Sequence, residues 1–257
     1  MAHDPFGTVV AAAFGAIVGS FLNVCIYRLP RNRSIVWPAS ACPSCRRSLS
    51  WFENVPIVSY LLLRGRCRTC RAPISVRYPI VELITAVLFA AGWWAYGPSL
   101  AFASRIVFGG ALIVLFAIDL EHQILPNVIT IPGIIVGFAF SALSGEPGWQ
   151  SSLIGIVVGG GSLFLLAEGY YRVRKHEGLG MGDVKMLAMI GAFIGWRLTL
   201  VSLMLASFAG SIVGLGLIAS KRGGMKCALP FGTFLAIGAA ASATFGPALL
   251  DWYLGLW

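Results

Sequence analysis

Residues 111–127 read ALIVLFAIDLEHQILPN, an apolar run that ends abruptly at the acidic residue Asp119. Long apolar runs separated by short charged stretches continue through all 257 residues, of which 58% are hydrophobic and only 11% are charged. The mean hydropathy is +0.83, and a typical soluble domain carries about 25% charged residues. These values exclude a disordered chain and an ordinary water-soluble enzyme, and they predict an integral membrane protein.

Eight apolar stretches have the composition of membrane-spanning helices. They lie at 8–27, 78–97, 101–119, 128–144, 151–171, 183–195, 198–219 and 229–250. The sixth is short, so we expect it to begin in a re-entrant or half-buried turn. We therefore predict an all-α polytopic membrane protein with about eight transmembrane helices. Its parts are a first helix at 1–27, a loop at 28–77 and a transmembrane core at 78–257.

Most of the net charge of +9 is concentrated in one segment. Residues 28–77 contain ten arginines and one acid, Glu53. In a soluble protein this balance would suggest nucleic-acid binding, but in a membrane protein it indicates a cytoplasmic loop. With this loop inside, 17 of the 19 positive residues lie on the cytoplasmic side and both termini lie outside. We expect the basic face to contact anionic membrane lipids and no nucleic acid.

Several pairs of glycines are separated by three residues, the small-xxx-small spacing of packed membrane helices. They are Gly15/Gly19, Gly133/Gly137, Gly155/Gly159, Gly191/Gly195 and Gly210/Gly214. This spacing lets helix backbones approach one another closely. It predicts a tightly packed bundle and says nothing about chemistry.

Two C-x-x-C pairs lie inside the basic loop, and they consist of Cys42, Cys45, Cys67 and Cys70. Two such pairs can converge on one tetrahedral zinc ion, and four protein ligands leave that ion no open position for catalysis. We therefore predict a structural zinc site. Disulfides, which a reducing cytoplasm disfavours, redox-active pairs and unligated thiols remain as alternatives.

Asp119 and Asp183 are the acids that most strongly suggest catalysis, because each lies at the predicted cytoplasmic end of a span. Two carboxylates at one depth, if close together, share a proton, as an aspartyl protease requires. Gly180 and Gly182 would let a substrate backbone or a neighbouring helix approach. Alternatively, both acids are helix-end residues, with Asp183 an N-terminal cap, or they bind a metal together with His122.

Six segments, in order along nearly the whole chain, resemble one known family. They are GSFLNVCIYRLP at 19–30, the two C-x-x-C pairs, RYPIVEL at 77–83, DLEHQILPN at 119–127, GMGDVK at 180–185 and PFGTFL at 230–235. Together they make the chain similar to the type IV prepilin peptidases, the bifunctional leader peptidases and N-methyltransferases of pilus and type II secretion systems.

The resemblance implies that Asp119 and Asp183 are the catalytic pair, with Asp183 in the G-x-G-D motif shared with presenilin-like intramembrane proteases. It implies a multi-pass protein of the bacterial inner membrane with its active site facing the cytoplasm. The substrates would be prepilins and pseudopilins, whose basic leader is cut after a glycine. The new N-terminal residue, usually phenylalanine, would then be methylated with S-adenosylmethionine. A tetracysteine loop is typical of members that perform both steps.

Other polar residues give weaker expectations. Glu121 and Glu177 are candidates to bind the basic leader, with solvated helix-end acids as the alternative. Glu82 could hold the cationic cofactor, or it could form a structural hydrogen bond between helices. Thr233 stands where the family usually has proline, and we expect it not to touch the aspartates.

Three alternative functions remain at this point. A monofunctional prepilin peptidase is the nearest. A carboxylate-coupled transporter would need coupling acids, but the internal symmetry of inverted repeats is not evident in the sequence. In a zinc-ribbon membrane adaptor, the two aspartates would be dispensable.

Overall fold

The computed structural model describes residues 4–175, 180–220 and 229–255, and the regular structure in this part of the chain is helical. The helices are α1 (Pro5–Arg28), α2 (Val58–Leu62), α3 (Arg77–Tyr96), α4 (Leu100–His122), α5 (Asn127–Ser144), α6 (Trp149–Arg174), α7 (Met181–Ala219) and α8 (Phe231–Leu254). Two short 3₁₀ helices, Leu29–Arg31 and Trp51–Asn54, lie in the basic loop. Seven helices, all except α2, are long and apolar enough to cross a membrane. The chain is an all-helical, multi-pass membrane protein, which confirms the predicted fold class.

The chain forms two compact units, Met1–Val114 and Leu115–Trp257, with the boundary inside α4. In the first unit, α1 packs against α3. A Cβ atom added to Gly19 of α1 would lie 2.7 Å from the Cα atom of Glu82 in α3. Only a residue without a side chain permits this backbone contact. The contact explains the small residue predicted at this position.

The first helix begins where the sequence supplies a cap. The carboxylate of Asp4 accepts hydrogen bonds from the backbone N–H groups of Phe6 and Gly7, at 3.1 and 3.0 Å. Pro5, the first helical residue, has no N–H group to leave unpaired. Together these residues satisfy the free donors of the first turn.

In the second unit, α7 is the central helix and packs against α5, α6 and α8. Every residue from Met186 to Gly195 is buried. The contact with α6 is the closest, because a Cβ atom on Gly155 would lie 2.5 Å from the carbonyl oxygen of Gly191. These glycines belong to two of the predicted small-residue pairs.

Helix α7 is interrupted at Gly195, whose backbone angles of φ 75° and ψ 170° are not helical. The predicted sixth and seventh spans are the two arms on either side of this residue. The interruption removes the helical partner of the Ala192 carbonyl, which instead accepts hydrogen bonds from the hydroxyls of Ser141 and Ser152, both at 2.7 Å. Side chains from α5 and α6 thus satisfy a polar group that would be costly to leave unpaired in a membrane.

The second arm of α7 runs antiparallel to α8. Ser242, in the middle of α8, donates a hydrogen bond to the carbonyl oxygen of Leu198 at 2.8 Å. Further along the arm, a Cβ atom on Gly210 would lie 3.6 Å from the ring of Phe234, near the start of α8. The later part of this arm therefore lies beside the start of α8.

Candidate active site and cysteine cluster

Asp119 is a buried carboxylate near the C-terminal end of α4, with only 4% of its surface exposed. Its Oδ2 atom accepts two hydrogen bonds from Thr233, one from the backbone N–H at 2.6 Å and one from the hydroxyl at 3.0 Å. The expectation that Thr233 does not touch the aspartates is therefore wrong. The two residues are 114 positions apart, and no local pattern in the sequence links them.

The first turn of α8 is directed at Asp119. Thr233 is the third residue of that helix. In the first turn of a helix, backbone N–H groups have no carbonyl partner four residues earlier, and the helix dipole favours negative charge. Gly232 allows this approach, since a Cβ atom there would lie 3.0 Å from both Cγ and Oδ2 of Asp119. The turn therefore provides a preformed binding site for a carboxylate.

Asp183 is the third residue of α7, after the capping residue Gly180, and so occupies the position that Thr233 has in α8. Its backbone N–H donates to the Gly180 carbonyl at 3.1 Å, and a Cβ atom on Gly180 would lie 3.4 Å from its Oδ2 atom. Asp183 therefore lies in the first turn of α7, whereas the capping position that one alternative gave it is occupied by Gly180. Asp119 lies within electrostatic range of Asp183. The second unit thus brings the two predicted acids together.

Leu125 joins the helix starts around this pair of acids. A Cβ atom on Gly182 would lie 3.0 Å from the Cβ atom of Leu125, and one on Gly232 would lie 2.9 Å from its Cδ1 atom. The leucine follows α4 in the short connection to α5, so it lies between the starts of α7 and α8. Sequence reasoning identified Gly182 but missed Leu125 and Gly232.

A further polar contact links the start of α5 to α7. The Nζ atom of Lys185, two residues after Asp183, donates to Oδ1 of Asn127 at 2.9 Å. Both residues lie in segments that carried the family resemblance, but the sequence gave no reason to pair them.

The remaining predicted substrate-binding residues have different positions. Glu121 is exposed near the end of α4, with one carboxylate oxygen 3.9 Å from Nε2 of His122. Gly180 is exposed and Gly182 half-buried at the start of α7. Glu177 lies outside the described residues.

The four predicted metal ligands converge in the first unit. The sulfur atoms of Cys42, Cys45, Cys67 and Cys70 all lie within 4.8 Å of one another, and those of Cys42 and Cys70 are 3.8 Å apart. Four thiolates bound 2.3 Å from a tetrahedral zinc ion lie about 3.8 Å from each other. The cluster therefore has the dimensions of a four-thiolate metal site.

Each C-x-x-C pair forms the same turn. In the first, the Cys42 N–H donates to the Arg47 carbonyl and the Arg46 N–H donates to the Cys42 carbonyl, both at 2.9 Å. In the second, the Cys67 N–H donates to the Ala72 carbonyl and the Arg71 N–H donates to the Cys67 carbonyl, at 2.9 and 3.0 Å. The N–H groups of Cys70 and Thr69 lower the pKa of the Cys67 thiol to about 6. Backbone N–H groups also lower the pKa of Cys42, whereas desolvation and the neighbouring thiols raise that of Cys70 to about 11. The turns thus favour the thiolate form, which binds metal, at Cys42 and Cys67.

One ion pair supports this loop. Arg47 donates to the Glu53 carboxylate at 2.6 Å, and the Ser50 N–H donates to the same carboxylate at 2.8 Å. The Arg47 guanidinium and the Ser50 N–H hold the pKa of Glu53 at about 2. The only acid of the basic loop therefore has a structural partner.

Two family descriptions match the chain. Residues 13–96 match the bacterial peptidase A24 N-terminal domain, and residues 106–215 match the type IV leader peptidase family. No solved structure gives a significant match.

Curated relatives extend these matches over most of the chain. A prepilin leader peptidase/N-methyltransferase of Myxococcus xanthus is 43% identical and covers 86% of this chain and 67% of its own length. The corresponding protein of Aeromonas hydrophila is 35% identical over 94% of this chain and 91% of its own, and that of Neisseria gonorrhoeae is 38% identical over 82% and 81%. Because these matches cover most of the chain, it belongs to the type IV leader peptidase family, and the relatives described above are named prepilin leader peptidase/N-methyltransferases.

Proposed function

We propose that this protein hydrolyses the peptide bond between the basic leader and the mature part of type IV prepilins and pseudopilins, with Asp119 and Asp183 as the catalytic pair. It then methylates the new N-terminal amine. The relatives' names support both activities. The observation that carries the peptidase assignment is geometric: Asp119 accepts hydrogen bonds from the first turn of α8, Asp183 lies in the first turn of α7, and Leu125 contacts both of these turns.

The two acids have different surroundings, and these suit different roles. Asp119 accepts two hydrogen bonds from Thr233, and a carboxylate accepts such bonds and donates none. We therefore assign it as the base that takes a proton from the attacking water. We assign the shared proton to Asp183, which is half-buried in the first turn of α7.

Hydrolysis then proceeds in two steps, addition of water and cleavage of the carbon–nitrogen bond. The water oxygen adds to the carbonyl carbon while Asp183 donates its proton to the carbonyl oxygen. The carbon–nitrogen bond breaks as the proton that Asp119 received passes to the leaving amine, and one hydroxyl proton of the tetrahedral intermediate returns to Asp183. The products are the carboxylic acid of the leader, which ionises in water, and a new amino terminus.

The leader must be bound by acids, because the basic loop repels a positive peptide at long range. Exposed Glu121 near the end of α4 is one candidate. Glu177 is the other, on the sequence argument alone. We propose that exposed Gly180 leaves room for the leader backbone beside Asp183, whereas the space at Gly182 is taken by Leu125.

For the cysteine cluster we propose a structural zinc ion, held by Cys42, Cys45, Cys67 and Cys70. The sulfur spacing fits four thiolates around one tetrahedral ion. Bound there, zinc would fold the loop and take no part in hydrolysis.

We propose that the protein lies in the bacterial inner membrane with its active site facing the cytoplasm. The concentration of ten arginines in residues 28–77 supports a cytoplasmic position for that loop. The same arginines are suited to contacts with anionic lipid headgroups.

The peptidase assignment is tested with purified protein, a synthetic prepilin and mass spectrometry. Asp119→Asn and Asp183→Asn should each reduce leader cleavage by roughly 10²–10⁴-fold, the usual contribution of an acid or base catalyst. Asp251→Asn, at the exposed far end of α8, should cleave like the wild type. Cleavage that survives both active-site substitutions would refute the mechanism.

The comparisons do not favour the alternative functions. The relatives are named for both activities, which disfavours a monofunctional peptidase. A transporter or adaptor finds no support in either family match.

A further inference from the structure

A second buried acid, Glu82, lies in the first unit and has no role in the mechanism above. It belongs to α3, and only 7% of its surface is exposed. Its Oε2 atom accepts a hydrogen bond from the Ile57 N–H at 2.7 Å, and the Ser20 side chain lies close enough to favour the charged carboxylate. Among the residues that the structure describes, no cation forms an ion pair with Glu82. Such a charge is costly to bury without a counterion.

Asn23 presents an unsatisfied acceptor on the facing helix. It lies one turn after Ser20 in α1 and is only 2% exposed. Its amide nitrogen donates to the carbonyl oxygens of Gly19 and Tyr78, at 3.3 and 3.0 Å. Its Oδ1 atom is buried and has no hydrogen-bond partner within the described part of the chain. Because both donors of the amide face backbone carbonyls, the free atom is assigned as the oxygen.

Ile57 adds an unusual backbone conformation at the same place. Its angles are φ 61° and ψ −51°, and the Val58 N–H donates across it to the Pro56 carbonyl at 2.5 Å. A positive φ is strained for a β-branched residue. The strained turn directs the Ile57 N–H at Glu82, and conformations of this kind concentrate at ligand-binding sites.

We propose that Glu82 and Asn23 form a binding site for a primary ammonium group. An ammonium carries one positive charge and three N–H donors. It would supply the counterion that Glu82 lacks and the donor that Asn23 Oδ1 lacks. Both acceptors come from facing turns of α1 and α3, which the contact at Gly19 brings together.

The inference rests on the proposed methyl transfer, in which two participants carry such a group. One is the new N-terminal amine of the processed pilin, which receives the methyl group. The other is the α-ammonium group of S-adenosylmethionine, which donates it. Either would place the methyltransferase site in the first unit, with Glu82 and Asn23 as binding residues.

Binding to the full-length protein in detergent tests the site without relying on turnover. The first pair of probes is a processed pilin peptide with a free N-terminus and the same peptide N-acetylated. The second pair is S-adenosylmethionine and its N-acetyl analogue. For at least one pair, we expect the wild type to bind the free amine about tenfold more tightly, as for one charge-assisted hydrogen bond. The pair that shows the difference identifies the source of the ammonium.

The variants attribute that difference to the site. In Glu82→Gln, the preference for the free amine over the acetylated probe should fall to about twofold or less. The control is Glu168→Gln, which changes an exposed glutamate of α6 and should keep the full preference. Equal binding of free and capped probes by the wild type would overturn the inference, and so would a difference that persists in Glu82→Gln. If Glu82→Gln fails to fold, Asn23→Leu provides the same comparison, and an undiminished preference for the free amine in that variant would overturn the inference.

The same preparations separate this inference from the proposed function. Mass spectrometry of the wild-type reaction reports leader cleavage and methylation. If the wild type binds the free amine preferentially but transfers no methyl group, the proposed methyltransferase activity fails and the ammonium site stands. If it methylates but shows no preference for the free amine, the site fails and the activity stands.

Discussion

Thr233 donates both its backbone N–H and its hydroxyl to one oxygen of Asp119, at 2.6 and 3.0 Å. The contact joins the start of α8 to the end of α4 and fixes the orientation of the carboxylate. A proline at this position, which the resemblance leads one to expect, could supply neither donor. In this chain, the side chain of Thr233 therefore helps to position Asp119.

Removing the hydroxyl alone should weaken catalysis without abolishing it. Thr233→Val keeps the backbone donor and the shape of the side chain, so we expect kcat to fall about tenfold, as for one hydrogen bond to a charged group. The measurement is steady-state cleavage of a synthetic prepilin. Thr244→Val is the matched control, because that hydroxyl bonds only to carbonyls of its own helix. An unchanged kcat would show that the backbone N–H suffices.

Gly232 should tolerate no side chain. In Gly232→Ala, the new methyl group would lie 3.0 Å from the Asp119 carboxylate and 2.9 Å from Leu125, so the start of α8 must move away. We expect leader cleavage to fall by at least about tenfold. Gly216→Ala, in α7, has no neighbouring atom within 4 Å and should cleave normally. Full activity of the Gly232 variant would contradict the close approach.

Gly19 tests the packing of the first unit. An alanine there would place its Cβ atom 2.7 Å from the Cα atom of Glu82 and push α1 away from α3. We expect a loss of about 1–3 kcal/mol in the free energy of unfolding. Thermal unfolding in detergent measures this loss. The control is Gly161→Ala, where the methyl group meets no atom within 4 Å; an equal effect in both variants would refute the packing argument.

The cysteine cluster predicts one metal ion per chain. After dialysis, elemental analysis should find about one zinc in the wild type and little in Cys70→Ser, because a tetrahedral structural site needs all four ligands. Chelation should make the basic loop sensitive to protease. Cys25→Ala, outside the cluster, should retain the metal. Stoichiometric zinc in the Cys70 variant would exclude the proposed site.

Glu53 should stabilise the loop in a pH-dependent manner. Its pKa is about 2 in the folded loop, against an ordinary value of 4.5. The stabilisation is therefore fully present above about pH 4.5 and is lost as the pH falls to about 2. Hydrogen exchange of the Ser50 amide, which donates to Glu53, measures it.

The matching variant is Glu53→Gln. It should reduce protection of that amide at pH 7, and the difference from the wild type should vanish near pH 2. Glu168→Gln, in the exposed pair with Arg172, should leave Ser50 unaffected. A difference that is independent of pH would exclude the charge of Glu53 as its cause.

The sequence was sufficient to predict the helices and the two sets of converging residues. Apolar runs determine the spans because a membrane requires helices with satisfied backbones. The spacing of the cysteines predicted their cluster, and the charge distribution predicted a common depth for Asp119 and Asp183. Each of these inferences uses a pattern that is local or repeated along the chain.

The remaining contacts could not be predicted because they join distant segments. Nothing near Thr233 indicates that its N–H meets Asp119, and Leu125 resembles any other apolar residue until α7 and α8 pack against it. The strain at Ile57 and the break at Gly195 depend on packing in the folded units. Glycine at 195 permits a positive φ, but the sequence contains many glycines that remain helical.

The break at Gly195 also has a consequence for the lipid environment of Asp183. The arm between these residues is only about 20 Å long at 1.5 Å per residue, less than the roughly 30 Å of a bilayer's hydrocarbon core. From Met186 to Gly195 it is enclosed by protein. The depth of Asp183 is therefore set by its neighbouring helices, so thicker and thinner membranes should hold this acid in the same place.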